Sequence, residues 1–377
     1  MKIALIGPAY PYRGGIALHT NLLYQEFSKD HSIDIINFKR LYPDLLFPGK
    51  TQYEESSNFD HIPSYRLLDS INPVSWLQAE RYILKYNYDL IIIQFWQPFF
   101  AVLLGTLVRR LKNKNPKLCI ITLCHNITSH EGSPVDKLLT KFLFNYVDGF
   151  LVQSRSVIQD LFNIVDKAEF KYNPHPIYNV FGEPIAQKTA RKKLGLDLED
   201  PLILYFGYIR TYKGLKYLIQ AFPRIHNKIE ATLLIVGEFY DDKNKYLKLI
   251  EKTGFKEQIK IDDRFVPDEL VNLYFSAADL LVLPYISATQ SGITQIALSY
   301  NLPCVVTDVG GLPEVVKEGK TGFIVEPENP EAIAQAVNHF FINADKKEFA
   351  DNIQKEKEKY SWNNMKNSLL NLYNKIN

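Results

Sequence analysis

Short runs of apolar residues, each bounded by polar turns, alternate with stretches of helical periodicity along nearly the whole chain. In the first half the apolar runs are Lys2–Ile6, Ile33–Phe38, Leu90–Phe95, Leu118–Leu123 and Gly149–Gln153. In the second they are Leu202–Phe206, Thr232–Val236, Gln258–Ile261, Asp279–Leu283, Pro303–Val306 and Gly322–Val325. Because most of these runs stay apolar at successive positions, they predict strands buried on both faces, as in parallel sheets covered by helices. Two sets of five or six such strands predict two doubly wound α/β domains in tandem.

The boundary between them is expected within Tyr172–Leu194, where Asn173-Pro174-His175-Pro176 and Gly182-Glu183-Pro184 interrupt any regular element. This places a first domain at 1–183 and a second at 184–360. The tail Lys346–Lys375 is polar and helical, with Ser361 placed to cap a final helix and Trp362 to anchor it.

With 377 residues the chain is long enough for two cores, and a net charge of +2 gives no reason to expect nucleic acid as a partner. Cys119, Cys124 and Cys304 fall in or beside apolar strands without metal-ligand spacing, so they read as small core residues in a reducing compartment. No apolar run reaches the ~18 residues of a membrane span. The opening MKIALIGPAYP reads as a strand and turn and not as a signal peptide. The expected location is cytoplasmic.

Candidate chemistry gathers in loops after strands. Gly14 and Gly15 precede an amphipathic helix carrying His19, and paired glycines let backbone approach a phosphate or sugar; the plain alternative is a tight turn. His125 follows the strand ending at Cys124, with His130 and Glu131 nearby as secondary proton-transfer candidates; a satisfied strand-edge histidine is the alternative. Gly207, Arg210 and Lys213 follow the strand Leu202–Phe206, and a glycine turn with an arginine fork and a lysine point charge suits a diphosphate. Glu238 and Val266 end neighbouring segments, Glu238 being equally readable as a helix cap. Ser287–Gly292 leads into a short helix, and a Ser-Gly pair there turns backbone N–H groups and the helix dipole toward an anion. Finally, Phe95-Trp96-Gln97-Pro98-Phe99-Phe100, with Arg109, Arg110, Lys112, Lys114 and Lys117 downstream, offers either an acceptor platform or membrane-facing surface, or simply a helix packed on the sheet with a solvated basic end.

The segment from Asp279 to Val316, with its strand, polar glycine loop, short helix and Gly310-Gly311-Leu-Pro-Glu314-Val-Val run, resembles the nucleotide-sugar half of the family 4 (group 1) glycosyltransferases of the GT-B fold. The Gly207…Lys213-Gly214 segment and the Gly14-Gly15 loop are similar to that family too. The resemblance implies two Rossmann-like domains with a C-terminal helix, 361–377, crossing back to the first. It implies a hexosyltransferase that needs no cofactor and no metal, takes a nucleoside-diphosphate sugar as co-substrate and passes the sugar to a glycan, lipid-linked or small-molecule acceptor with retention. His125, Arg210 and Lys213 are then the catalytic candidates. Gly14, Gly15, Gly207, Glu238, Val266, Thr289, Gln290, Ser291, Gly292, Ile293 and Gln295 are the donor-binding ones. Closure of two domains over the donor and peripheral contact with the inner face of a membrane are further implications. One departure is plain: the family's paired glutamates fall at Ala288 and Ile296, no Asp or Glu lies between Asp279 and Asp308, and Gln290 and Gln295 are the polar stand-ins. Two other readings stand beside it: a nucleotide-sugar-binding partner subunit that has lost transferase activity, and, ranked last because its expected acidic cluster is not evident in this loop, a GT-B sugar-nucleotide epimerase.

Overall fold

The structure is a computed structural model and describes residues 1–43, 51–54, 59–128 and 134–377. The chain divides into two compact units, Met1–His175 with Ser361–Asn377, and Pro176–Tyr360. The break falls between His175 and Pro176, inside the proline-rich turn.

Among the described residues the first unit is built on seven parallel strands: β1 Lys2–Ile6, β2 Ser32–Arg40, β3 Ser64–Asp69, β4 Leu90–Phe95, β5 Cys119–Cys124, β6 Gly149–Val152 and β7 Phe170–Tyr172. Their order is β3-β2-β1-β4-β5-β6-β7. The apolar pattern identifies five of the seven. The other two are the edge strands, and their exposure explains the difference. β3 buries little beyond Leu68, and β7 is three residues long with two of them exposed. β4 and β5, by contrast, are buried at every position. All three cysteines are buried, in β5 and in the second sheet, and none is in a disulfide.

The second unit carries six parallel strands: β8 Leu202–Phe206, β9 Thr232–Val236, β10 Ile259–Asp262, β11 Leu280–Leu283, β12 Cys304–Thr307 and β13 Gly322–Val325. They are ordered β10-β9-β8-β11-β12-β13, so strand order reverses between β8 and β11. Helices start where a capping side chain satisfies a free N–H group: Asn72 and Asn329, each followed by proline, then Ser154, Ser291 and Ser361. Ser361 opens the helix Trp362–Ile376 and Trp362 is buried, as the tail pattern predicts. Among the described residues no helix is long and apolar enough to cross a membrane.

Candidate functional site

In an open parallel sheet, ligands bind past the carboxyl ends of the strands where strand order reverses. In the second unit those ends belong to β8 and β11, and the loops leaving them are tied together. Ile286 N–H donates to the Tyr212 carbonyl at 2.7 Å. Gly214 approaches the other loop so closely that a β-carbon there would lie 1.8 Å from the Pro284 carbonyl oxygen. The loop after β12 joins them, its Gly311 N–H donating to the Thr289 carbonyl at 2.9 Å.

Lys213 ends a 3-10 turn, Thr211–Lys213, and folds back over Gly207. A β-carbon on Gly207 would stand 3.2 Å from Lys213 Nζ and 3.5 Å from the Ile293 side chain. Glycine is therefore what lets cation, strand end and helix start converge. Burial lowers the Lys213 pKa; Tyr212 opposes this and Arg210 adds to it. The Arg210 guanidinium lies 4.9 Å from the centre of the Tyr240 ring. Among the described residues no carboxylate forms an ion pair with either cation. A partly desolvated cation without a counter-charge suits an anion.

The helix Gly292–Ser299 begins beside it. Ser291 Oγ accepts from Ile293 N–H at 3.3 Å and lies 3.4 Å from the Tyr285 hydroxyl. The positive end of this helix and the Lys213 ammonium thus share one neighbourhood. Gln290 is half-buried, while Gln295 is buried with its Oε1 unpartnered among the described residues. Ile296, at the place of the family's second glutamate, is also buried.

Glu238 is buried after β9, and its carbonyl accepts from Ile209 N–H at 2.9 Å. It does not cap the next helix. That cap is Asp242, whose carboxylate accepts from Asn244 N–H at 3.0 Å. Val266 is buried beyond β10. Beside it stands a group that the motifs did not announce. The Phe265 and Tyr208 rings are stacked with centroids 6.1 Å apart, and Tyr208 lies 4.7 Å from Tyr240, which in turn faces Arg210. Each aromatic sits a few residues past the end of one of three adjacent strands, β8, β9 and β10. That signal becomes readable only once the strand order is known.

The profile of the family described as "Glycosyl transferases group 1" matches residues 186–360. An uncharacterized glycosyltransferase of Methanocaldococcus jannaschii is 26% identical over 399 positions, covering 99% of this chain and 98% of its own length. This chain is a group 1 glycosyltransferase. N-acetyl-alpha-D-glucosaminyl L-malate synthase of Bacillus anthracis is 24% identical across 86% of the chain and 84% of that protein. Among solved structures, sucrose-phosphate synthase from Thermosynechococcus elongatus superposes with a TM-score of 0.79 at 18% identity, covering 100% of this chain and 99% of that one. Anabaena HepE in complex with UDP gives 0.76 at 16% identity, covering 98% and 100%. The glycosyltransferase therefore has the GT-B fold.

The first unit of the glycosyltransferase holds the remaining candidates. Gly14, at φ +107°, precedes the helix Gly15–Ser28 and has open space where a β-carbon would project. His125 follows β5 but is buried, its Nε2–H donating to Gln94 Oε1. Burial pushes its pKa down to about 3, with His175 adding and a hydrogen bond to Gln153 opposing. That burial favours the neutral ring. His130 and Glu131 lie outside the described residues.

The aromatic run after β4 is internally satisfied. Trp96 Nε1–H donates to the Tyr42 hydroxyl at 3.0 Å, and Tyr42 donates to Gln97 Oε1 at 2.9 Å. Arg110 and Lys114 pair with Glu80, and Lys112 pairs with Asp148. These contacts match a helix packed on the sheet with Arg110, Lys112 and Lys114 neutralised.

Proposed function

We propose that this glycosyltransferase moves a hexose-type sugar from a nucleoside-diphosphate sugar to a glycan, lipid-linked or small-molecule acceptor, with retention of configuration. The observation that carries this reading is Lys213, half-buried without a carboxylate partner among the described residues and packed against Gly207 and the first turn of a capped helix. A leaving diphosphate is the anion that such a site suits. HepE, a neighbour in fold, has been solved with UDP-glucose, which makes that donor the first to try.

On this reading the backbone of Thr289, Gln290, Ser291, Gly292 and Ile293 cradles the diphosphate, while Lys213 and Arg210 neutralise the charge that grows on it as the glycosidic bond breaks. No metal is assigned, since two side-chain cations supply the counter-charge. Gln290 and Gln295 hydrogen-bond donor hydroxyls, but an amide cannot act as a base. Catalysis is then mainly electrostatic stabilisation of the departing group. Gly207, Glu238 and Val266 line the nucleoside end, with Tyr208, Tyr240 and Phe265 as its aromatic wall.

The test is a panel of nucleoside diphosphates and their sugars, UDP and UDP-glucose first, read by thermal unfolding. A ligand at about 100 times its Kd adds about 2.7 kcal/mol to the folded state. One base should raise the midpoint clearly above the others, and turnover should follow with that donor. A flat response across the panel sinks the reading.

A further inference from the structure

The first unit contains a buried polar circuit that donor binding does not use. His19, on the helix Gly15–Ser28, is fully buried, and His125 and His175 are nearly so. The His19 and His125 rings meet edge to face at 4.6 Å, and the Trp362 ring lies 4.8 Å from His19. Two buried glutamines connect the first pair of histidines. Gln94 Nε2 lies 3.3 Å from His19 Nδ1, while Gln94 Oε1 accepts from His125 Nε2. The Gln153 amide lies 3.1 Å from His19 Nε2. It also hydrogen-bonds the His125 ring. His125, Gln94, His19 and Gln153 therefore form a closed circuit.

Counting protons around that circuit decides its state. A primary amide presents one acceptor end and one donor end, and a neutral imidazole does the same. Four such groups close a ring in which every donor meets an acceptor. His125 Nε2–H gives to Gln94 oxygen, Gln94 N–H to His19 Nδ1, His19 Nε2–H to Gln153 oxygen, and Gln153 N–H to the second His125 nitrogen. The nitrogen-to-nitrogen contact between Gln153 and His19 fits this sense once that amide is turned about its last bond. An added proton leaves two donors facing each other somewhere, however the amides and tautomers rearrange. The titratable groups acting on His19 are His125 and His175, and on His125, His175. No carboxylate is among them to accept the extra donor.

We propose that His19, His125, Gln94 and Gln153 are positioning residues, a proton-neutral ring that holds the first turn of the helix Gly15–Ser28 and with it the Gly14-Gly15 loop. His125 acts through this ring and not by contact with the sugar, its Nε2 held by Gln94 and its ring hydrogen-bonded to Gln153. The functional weight of the loop rests on the donor reading above; the ring itself is tested without any donor.

Nitrogen-15 spectra of the histidine rings in the full-length protein should show His19 and His125 neutral and unchanged from pH 5 to about pH 9. Gln94→Glu replaces a donor end with an acceptor, so the ring closes again only with one more proton. One of the two imidazoles should then be doubly protonated at neutral pH. Amide exchange over residues 15–19 should stay as slow as in the wild type. Gln94→Leu opens the circuit, and exchange there should accelerate about tenfold or more. Three results overturn the proposal: either ring titrating between pH 5 and pH 8 in the wild type, a folded Gln94→Glu protein in which neither ring gains a proton, or equal exchange in Gln94→Leu and wild type. If Gln94→Leu does not fold, the first two measurements still decide. A ring confirmed in a protein that binds no nucleotide sugar would fault the donor reading alone.

Discussion

Lys213 owes its lowered pKa first to burial. Its charged form is what a diphosphate needs, so donor binding should be strong below that lowered value and weaken as pH rises through it. The alkaline limb of kcat/KM should therefore sit below the usual lysine value near 10.5. Lys213→Arg, which stays charged, should abolish the limb even if it binds less well. Lys213→Ala should cost on the order of 10² to 10³ in turnover, as removal of one preorganised charge does; wild-type rates would remove it from the mechanism. His125 gives a second pH effect, on stability. Its folded pKa of about 3 lies below the ordinary 6.5, so the unfolded chain binds more protons in between. Unfolding free energy should fall as pH drops from about 6.5 toward 3, and His125→Asn should flatten that slope in urea titrations. The glycine and cation spacing of the donor loop is readable from the chain alone because those residues lie within one segment. Tyr208, Tyr240 and Phe265 are not, because they meet only through the pairing of β8, β9 and β10.

At the scale of elements, continuous apolar runs reveal every central strand, and the two they miss lie at the edges of the first sheet. An edge strand buries one face or less, so its sequence carries polar residues that mask it. β3 has Tyr65 and Arg66 exposed, and Arg66 donates to the carbonyls of Phe38 and Lys39. The short helix of the donor loop depends on Ser291. Ser291→Ala should cost about 1 kcal/mol through the lost cap. Both the thermal midpoint and affinity for nucleotide should fall together if, as proposed, that helix start also faces the diphosphate. Gly310 is a stricter case: at φ +53° its β-carbon would lie 1.7 Å from the Ala288 carbonyl oxygen. Gly310→Ala should destabilise the second unit by more than about 2 kcal/mol, measured by chemical denaturation.

At the scale of the whole molecule, the first unit is closed by residues from both ends of the chain. The helix Trp362–Ile376 buries Trp362, Met365, Leu369 and Leu372. Lys366 ties the same helix to Asp30 at 2.9 Å and Glu26 at 3.5 Å. At about 2 kcal/mol for each apolar side chain, removing it forfeits on the order of 8 kcal/mol. That is comparable to the entire stability of an ordinary domain. A chain ending at Tyr360 should show rapid proteolysis within residues 1–175 while 176–360 persists.

The discontinuity also sets an order on biosynthesis. Domains generally fold as they leave the ribosome, the amino-terminal one first. Here the first unit has all seven strands by residue 175 yet waits for a helix that ends at Ile376, whereas the second is complete in sequence at Tyr360. The half of the enzyme that is made first is therefore the half finished last. Until residues 362–376 emerge, its β5–β7 face, where Gly149 meets Ile376 and Leu372, stays uncovered. That nascent surface is where a chaperone or a premature stop would leave its mark.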